Sequence, residues 1–297
     1  MLPLASMFSH EFLSTAFHIP SLIGLLGTML ICAALLTPLE YIFPAHDQPT
    51  ITRKGLMLDF SYWFLTPIVT RTITSIVIML LLYLIFSLTG KAIDKSLLDG
   101  FGPVARQPLP VQAFEILLLA DFIDYWTHRM FHKKLLWDFH AIHHSPDEMS
   151  WMSSARVHPI NDLITRTCQV LPLASLGFAA HAIILIAPYL SVYVMFLHSN
   201  ISWNFGPFRY LLVSPAYHRW HHTSDREAVD KNFAGIFPVW DWLFGTMYVS
   251  QQLPQKYGVI GKSISENLFG QIIYPFRSRS FKGVTWRSNL KKPCAKS

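Results

Sequence analysis

Long apolar runs separated by short polar connectors set the first expectation. Residues 19–38 are almost wholly apolar and long enough to cross a bilayer. A polar connector with Asp47, Arg53, Lys54 and Asp59 follows, and then residues 60–89, an apolar stretch with its core from Ile73 to Leu88. Gly90 to Pro110 reads as a loop, because Gly100, Gly102, Pro103, Pro108 and Pro110 break any regular element. Residues 111–126 predict a third, shorter apolar helix that runs straight into His128. Residues 163–198 are too long for one helix across a ~30 Å core at ~1.5 Å per residue. With Leu176-Gly177-Phe178 near the middle, that block predicts a helical hairpin entering and leaving on one face, which puts His158 and His198 on the same side. The expected fold class is all-α: an integral-membrane helical bundle of about three spans plus a helical hairpin, with a histidine-rich helical cap.

Composition agrees. Hydrophobic residues make up 52% of the chain and charged residues only 14%, where a soluble surface needs about 25% charged. The net charge of +6 admits nucleic acid or an anionic membrane face. The apolar runs favour the membrane, and no long Lys/Arg block marks a nucleic-acid groove. Cys32, Cys168 and Cys294 are far apart, so neither a disulfide framework nor a zinc ribbon is supported. Residues 1–18 hold no Lys or Arg, which argues against a secretory leader.

The Lys/Arg bias gives an orientation. With the histidine-rich side inside, the outer segments carry only Lys91, Lys95 and Arg106. The inner ones carry Arg53, Lys54, Arg129, Lys133, Lys134, Arg156 and the thirteen Lys/Arg after His198. A multi-pass protein with a cytosolic cap is expected. In the tail, Trp240, Trp242 and Phe244 suggest an aromatic belt. Ile264, Leu268, Ile272 and Phe276 fall at helical spacing before Arg277, Arg279 and Lys282, as in an interfacial helix or a surface helix packed on the domain.

The chemistry lies in the histidines. Eleven of 14 fall between residues 128 and 222. His128-x-x-x-His132, His140-x-x-His143-His144 and His218-x-x-His221-His222 each aim their rings to one side of a helix, because positions i, i+3 and i+4 share a face. Chance predicts about 0.03 copies of HxxHH at this histidine abundance, and two are present. Eight imidazoles exceed the three ligands of a single catalytic zinc, so two metals are expected. Neither HExxH nor ExxH occurs among these arrays, which argues against a carboxylate-bridged site. Imidazole suits Fe, Zn, Cu and Ni alike. Asp121 and Asp124 share a helix face with His128. As charges in an apolar helix they are expected to accept the second N–H of a metal-bound histidine. Asp138, Asp225 and Asp241 read as caps or turns, and Trp126, Trp137 and Trp220 as walls of the site or plain packing.

The arrays resemble the fatty acid hydroxylase/sterol desaturase superfamily over roughly residues 110–250. Asp121-x-x-Asp124-Tyr125-Trp126-x-His128-Arg129-x-x-His132 is similar to that family's first box. Trp137-x-x-His140-x-x-His143-His144-Ser145 is similar to its second, and His218-Arg219-x-His221-His222 to its third. Asn232-Phe233-Ala234-Gly235 and Trp240-Asp241-x-x-Phe244-Gly245-Thr246 resemble the stretch that follows the third box. The segment from His198 through Trp203, Gly206 and Pro207 resembles the alkylglycerol monooxygenase branch and its bacterial relatives.

The resemblance implies ligands at His128, His132, His140, His143, His144, His218, His221 and His222, with His198 as a further ligand. His158 is implied as a ligand or a partner of one, with a helix-entry residue before Pro159 as the alternative. His181 is expected at the far hairpin turn, and His10, His18 and His46 at surfaces. The implied cofactors are two iron ions with O2 as co-substrate, and the implied reaction is hydroxylation of a lipid C–H bond. A desaturase or C-methyl oxidase of sterol-like substrates is the alternative, and a membrane metal-binding or transport protein a remote one. No GxGxxG fingerprint and no iron–sulfur cysteine set occur, so a separate reductase, ferredoxin or cytochrome is expected to deliver electrons, beside a lipid substrate and membrane lipids. The chain then divides into a transmembrane region 1–110, a histidine-box catalytic domain 111–250 and a basic interfacial tail 251–297.

Overall fold

The computed structural model describes residues 21–49, 52–88 and 99–277. His10, His18 and the end of the expected tail helix lie outside them. Helix α1 (Leu22–Ile42) starts on Ser21, whose hydroxyl accepts from the Gly24 amide at 3.0 Å. Its last turn carries Glu40, buried, which accepts from the amides of Trp151 at 2.8 Å and Asn200 at 2.9 Å. One carboxylate oxygen thus ties the end of α1 to two segments beside the histidine arrays.

Helix α2 (Leu56–Leu65) passes through a π-turn at Thr66–Thr70 into α3 (Arg71–Leu88). The short α4 (Gly102–Ala105) precedes α5 (Leu109–Phe131), which carries the first array. The expected hairpin is present as α7 (Pro159–Leu176) and α8 (Ala180–His198), with α6 (Trp137–His140) before it. Gly177 makes the turn at φ 94, a left-handed value that suits glycine. Its carbonyl accepts from the Phe101 amide at 3.0 Å. The bundle core forms where α5, α7 and α8 meet, at Ile116, Ala120, Leu173, Phe178, Ala182 and Ile186. His181 is exposed near the hairpin turn, as expected.

Among the described residues, three helices are long and apolar enough to cross a membrane: Leu22–Ile42, Leu56–Ile85 and Ala180–His198. Beyond them the chain folds into short elements, including α9 (Pro215–His221), α10 (Val239–Leu243) and α11 (Leu268–Arg277). The stripe Ile264, Leu268 and Ile272 packs on Leu58, Tyr62 and Ile142, so that face of the tail is turned to the protein. Phe269 and Phe276 are exposed. The expected aromatic belt is reduced to Trp242, which is 67% exposed. Trp240 packs against Phe122, and Phe244 stacks on Tyr125.

Candidate metal centre

Two short helices, α6 and α9, and the ends of two long ones, α5 and α8, bring the arrays together. His128 lies in the last turn of α5 and His132 caps that helix. His140 ends α6, and the turn after it presents His143 and His144. Ser214 caps α9 through the Tyr217 amide at 3.2 Å, and α9 delivers His218, His221 and His222. His198 ends α8.

The nine imidazoles sort into two groups. His128, His132, His140, His144 and His221 form one; His143, His198, His218 and His222 form the other. Within each group one nitrogen from every ring lies within 4.8 Å of the others. Several Nε2 pairs are closer: His128 to His140 at 3.0 Å, His143 to His198 at 3.1 Å, and His218 to His222 at 3.1 Å.

The outer nitrogens explain what those close pairs mean. Nδ1 of His128 donates to the Phe233 carbonyl at 2.8 Å, and that of His143 to the Arg156 carbonyl at 3.1 Å. Nδ1 of His198 donates to Val194 at 2.8 Å and that of His221 to Lys231 at 2.9 Å. A carbonyl only accepts, so in each neutral ring the proton sits on Nδ1 and Nε2 presents a bare lone pair. His143 and His198 therefore point lone pairs at each other at 3.1 Å, a repulsive contact unless a cation stands between. That spacing suits two nitrogens on one ion at about 2.0–2.1 Å. Nε2 of His132, Nε2 of His221 and Nδ1 of His218 are also buried without a partner. The residues fit a pair of metal ions.

The rings are held neutral. Burial pushes His128 down to about 4. Burial, then mutual repulsion, holds His140, His143, His144, His218, His221 and His222 well below the usual imidazole range. Neutral imidazole is the ligand form.

Three expected residues have other work. His158 stands outside both groups: its Nδ1 accepts from the Ile160 amide at 3.1 Å as the cap of α7, and its Nε2 donates to the Ile272 carbonyl at 3.1 Å. The hairpin brings it to the right end of the bundle, but the cap turns its ring away. Asp121 does not meet a histidine. It accepts from the amides of Gly235, Ile236 and Phe237 and from the Trp240 indole at 2.8–3.1 Å. Asp124 accepts from Gln169 at 3.3 Å. Proximity in sequence suggested carboxylate–histidine pairs, but the loop after the third array supplies amides that outcompete the imidazoles.

That loop is shaped from both ends. Asp241, fully buried, accepts from the amides of Phe233 and Ala234, from Tyr217 and from Thr246. Asp121 and Asp241 together place the Phe233 carbonyl that orients His128. Asp138 pairs with Lys262, and Asp225 accepts from Gln255. Of Trp126, Trp137 and Trp220, Trp137 walls the site, its ring centre 5.0 Å from that of His132 and 5.4 Å from that of His144. Trp126 lies under Arg129, and Trp220 meets Tyr248 edge to face. His46 meets the Tyr257 hydroxyl at 2.8 Å.

Sequence reasoning missed three supports. The Asn161 side chain accepts from His140 Nδ1 at 2.8 Å. Asp230, at φ 60, accepts from His132 Nδ1 at 3.1 Å. Arg156, whose carbonyl serves His143, is itself clamped at Nε by buried Asp59 at 2.6 Å. In the sequence, Arg156 stands out only as one of the inner basic residues.

Residues 113–246 match the fatty acid hydroxylase family. Among curated proteins, the chain is 28% identical over 179 residues to the ornithine lipid hydroxylase of Rhizobium tropici, covering 60% of this chain and 54% of that one. It is 32% identical over 138 residues to the alkylglycerol monooxygenase of Homo sapiens, 45% of this chain and 30% of the relative. It is 29% identical over 141 residues to a very-long-chain aldehyde decarbonylase of Oryza sativa subsp. indica, 43% of this chain and 22% of the relative. The match thus spans about half the length of the first relative and less of the others. No solved structure matches the chain. All the histidines of both groups fall inside the matched residues, so the stretch that carries the site is a fatty acid hydroxylase family domain, and the relatives support the resemblance to the fatty acid hydroxylase/sterol desaturase superfamily.

Proposed function

We propose that this chain is a membrane-bound di-iron oxygenase that hydroxylates a lipid C–H bond with O2 and externally supplied electrons. The observation that carries the reading is the convergence of bare Nε2 lone pairs in a five-histidine and a four-histidine group, each to hold one iron ion. When bound, the pair of iron ions supplies the reductive activation of O2, chemistry that protein side chains lack. The chain holds the ions in neutral imidazole, keeps the ring tautomers fixed through backbone carbonyls, and shields the rings from bulk water by burial.

The names of the ornithine lipid hydroxylase and the alkylglycerol monooxygenase favour hydroxylation of a lipid. A desaturase or C-methyl oxidase on the same scaffold is the second reading, favoured by the aldehyde decarbonylase relative, whose name shows that the scaffold admits other reactions. The three apolar helices and the Lys/Arg bias support a multi-pass protein with its site toward the cytoplasm. In this reading residues 1–110 anchor the chain, 111–250 carry the site and 251–297 form the basic tail. A separate reductase, ferredoxin or cytochrome delivers electrons. Asp121, Asp124 and His158 act as positioning residues.

The test is lipid mass spectrometry of cells with and without the gene under ¹⁸O2, beside metal analysis of the purified chain. A lipid heavier by one labelled oxygen is expected, with two irons per chain. A lipid that has lost two hydrogens without gaining label supports the desaturase instead. A chain that never holds more than one metal ion overturns the dinuclear site.

A further inference from the structure

The apolar helix Leu56–Ile85 contains two charged residues, Asp59 and Arg71. Asp59 is buried and held by Arg53 and Arg156. Arg71 is exposed, and no hydrogen bond or ion pair among the described residues reaches its guanidinium. An unpaired charge on the outside of a membrane span is costly and calls for a partner.

Its surroundings make the demand for an anion stronger. Helix α7 packs against α3 on one side and α5 on the other. The charged groups acting on Arg71 are Arg166 and Asp162, both on α7. Asp162 already engages Arg166 at 2.7 Å. Asp124 acts on Arg166 from the α5 side, where it takes the Gln169 amide. Asp162 and Asp124 are both turned to Arg166, so Arg71 is left without an ion pair of its own among the described residues. The hydroxyls of Thr70 in the π-turn and Thr74 on α3, each 2% exposed, are buried without partners, as are that of Thr167 and Oδ2 of Asp162 on α7.

Depth identifies the anion. The 30 residues of Leu56–Ile85 make a helix of about 45 Å, longer than the ~30 Å a bilayer core requires. Its first part, α2, packs on Trp151–Ala155 beside the histidine arrays. The span proper therefore starts near the π-turn, and Arg71 stands at its boundary on the side of the metal centre, the level of lipid headgroups. We propose that the seam between α3 and α7 binds the anionic headgroup of a lipid, phosphate or carboxylate, through Arg71 and Arg166. The seam adjoins the metal centre, because Asn161, the neighbour of Asp162, holds the ring of His140. The inference rests on reading Leu56–Ile85 as a membrane span.

The test uses the full chain in nanodiscs of phosphatidylcholine alone, or with one fifth phosphatidylglycerol or one fifth oleate. Native mass spectrometry counts the anionic lipids retained, and thermal unfolding reads their effect. The wild type should retain an anionic lipid and unfold at a higher temperature in its presence. R71Q and R71L should retain at least about tenfold less, with the thermal gain lost, while R71K keeps most of both and R209Q matches the wild type. Retention of phosphatidylglycerol alone assigns a phosphate; retention of both lipids assigns any anion. Equal retention by wild type, R71Q and R71L overturns the proposal. Vesicle flotation separates this from the premise: a chain that does not float overturns the span itself, whereas one that floats with equal retention overturns only the headgroup site.

Discussion

Asp59 grips the Nε of Arg156 at 2.6 Å, and the carbonyl of that same arginine receives the Nδ1 proton of His143 at 3.1 Å. A carboxylate on α2 thus sets a ring of the four-histidine group through one intervening residue. Asp59→Ala leaves Arg53 and Arg156 buried without their counter-charge, at a cost of about 3–5 kcal/mol. Denaturant or thermal unfolding in detergent should show that loss. Metal analysis should show the four-histidine group depleted before the five-histidine group.

His132 differs from the carbonyl-bonded rings in taking a carboxylate, Asp230, as its outer partner. That carboxylate is about half exposed, so its effect should be moderate. Asp230→Ala is expected to weaken metal retention by about tenfold, the lower end for such partners. Asp230→Asn keeps an acceptor oxygen and should retain most of the affinity. Competition with a graded chelator series measures both, and equal losses from Ala and Asn would contradict a hydrogen-bonding role.

His158 and His198 stand at the same end of the hairpin but have opposite prospects. His158→Ala removes a helix cap and the bond to the Ile272 carbonyl, worth about 1–2 kcal/mol in all. Its metal content should stay at the wild-type level. His198→Ala should lose metal from the four-histidine group while unfolding reads a smaller change in the metal-free protein. A His158→Ala chain that folds normally but binds one ion fewer would restore His158 to the ligand set.

Gly177 is the pivot of the hairpin. A Cβ there would meet the Phe101 carbonyl and force a left-handed conformation on a side-chain-bearing residue. Gly177→Ala should therefore destabilise by about 1–3 kcal/mol, seen as a lower unfolding temperature. An unchanged temperature would mean that the Phe101 segment yields freely.

What the sequence made legible was whatever follows a period. The hairpin was readable from an apolar block too long for one span, broken at Gly177. The three arrays were readable because spacing on a helix fixes a face. The supports of the rings were not readable, because they come from loops. Phe233, Lys231 and Arg156 serve the site with main-chain carbonyls, which every residue possesses, so their identities carry no signal. Asp121 looked like a histidine partner because it shares a face with His128. Amides from residues 235–237, more than a hundred positions later, bind it instead. His158 was placed at the correct end, but a local contest between cap and site decided its ring direction.

The four carbonyl-bonded rings bear on how this protein can drift over evolutionary time. Main-chain oxygens persist through nearly any side-chain replacement, so the tautomers of His128, His143, His198 and His221 are inherited with the path of the backbone rather than with particular neighbours. Substitutions around the site are then free to change its side-chain surroundings without resetting its protons. A scaffold of that kind tolerates change in the side chains around its site while the same four ring nitrogens stay bare.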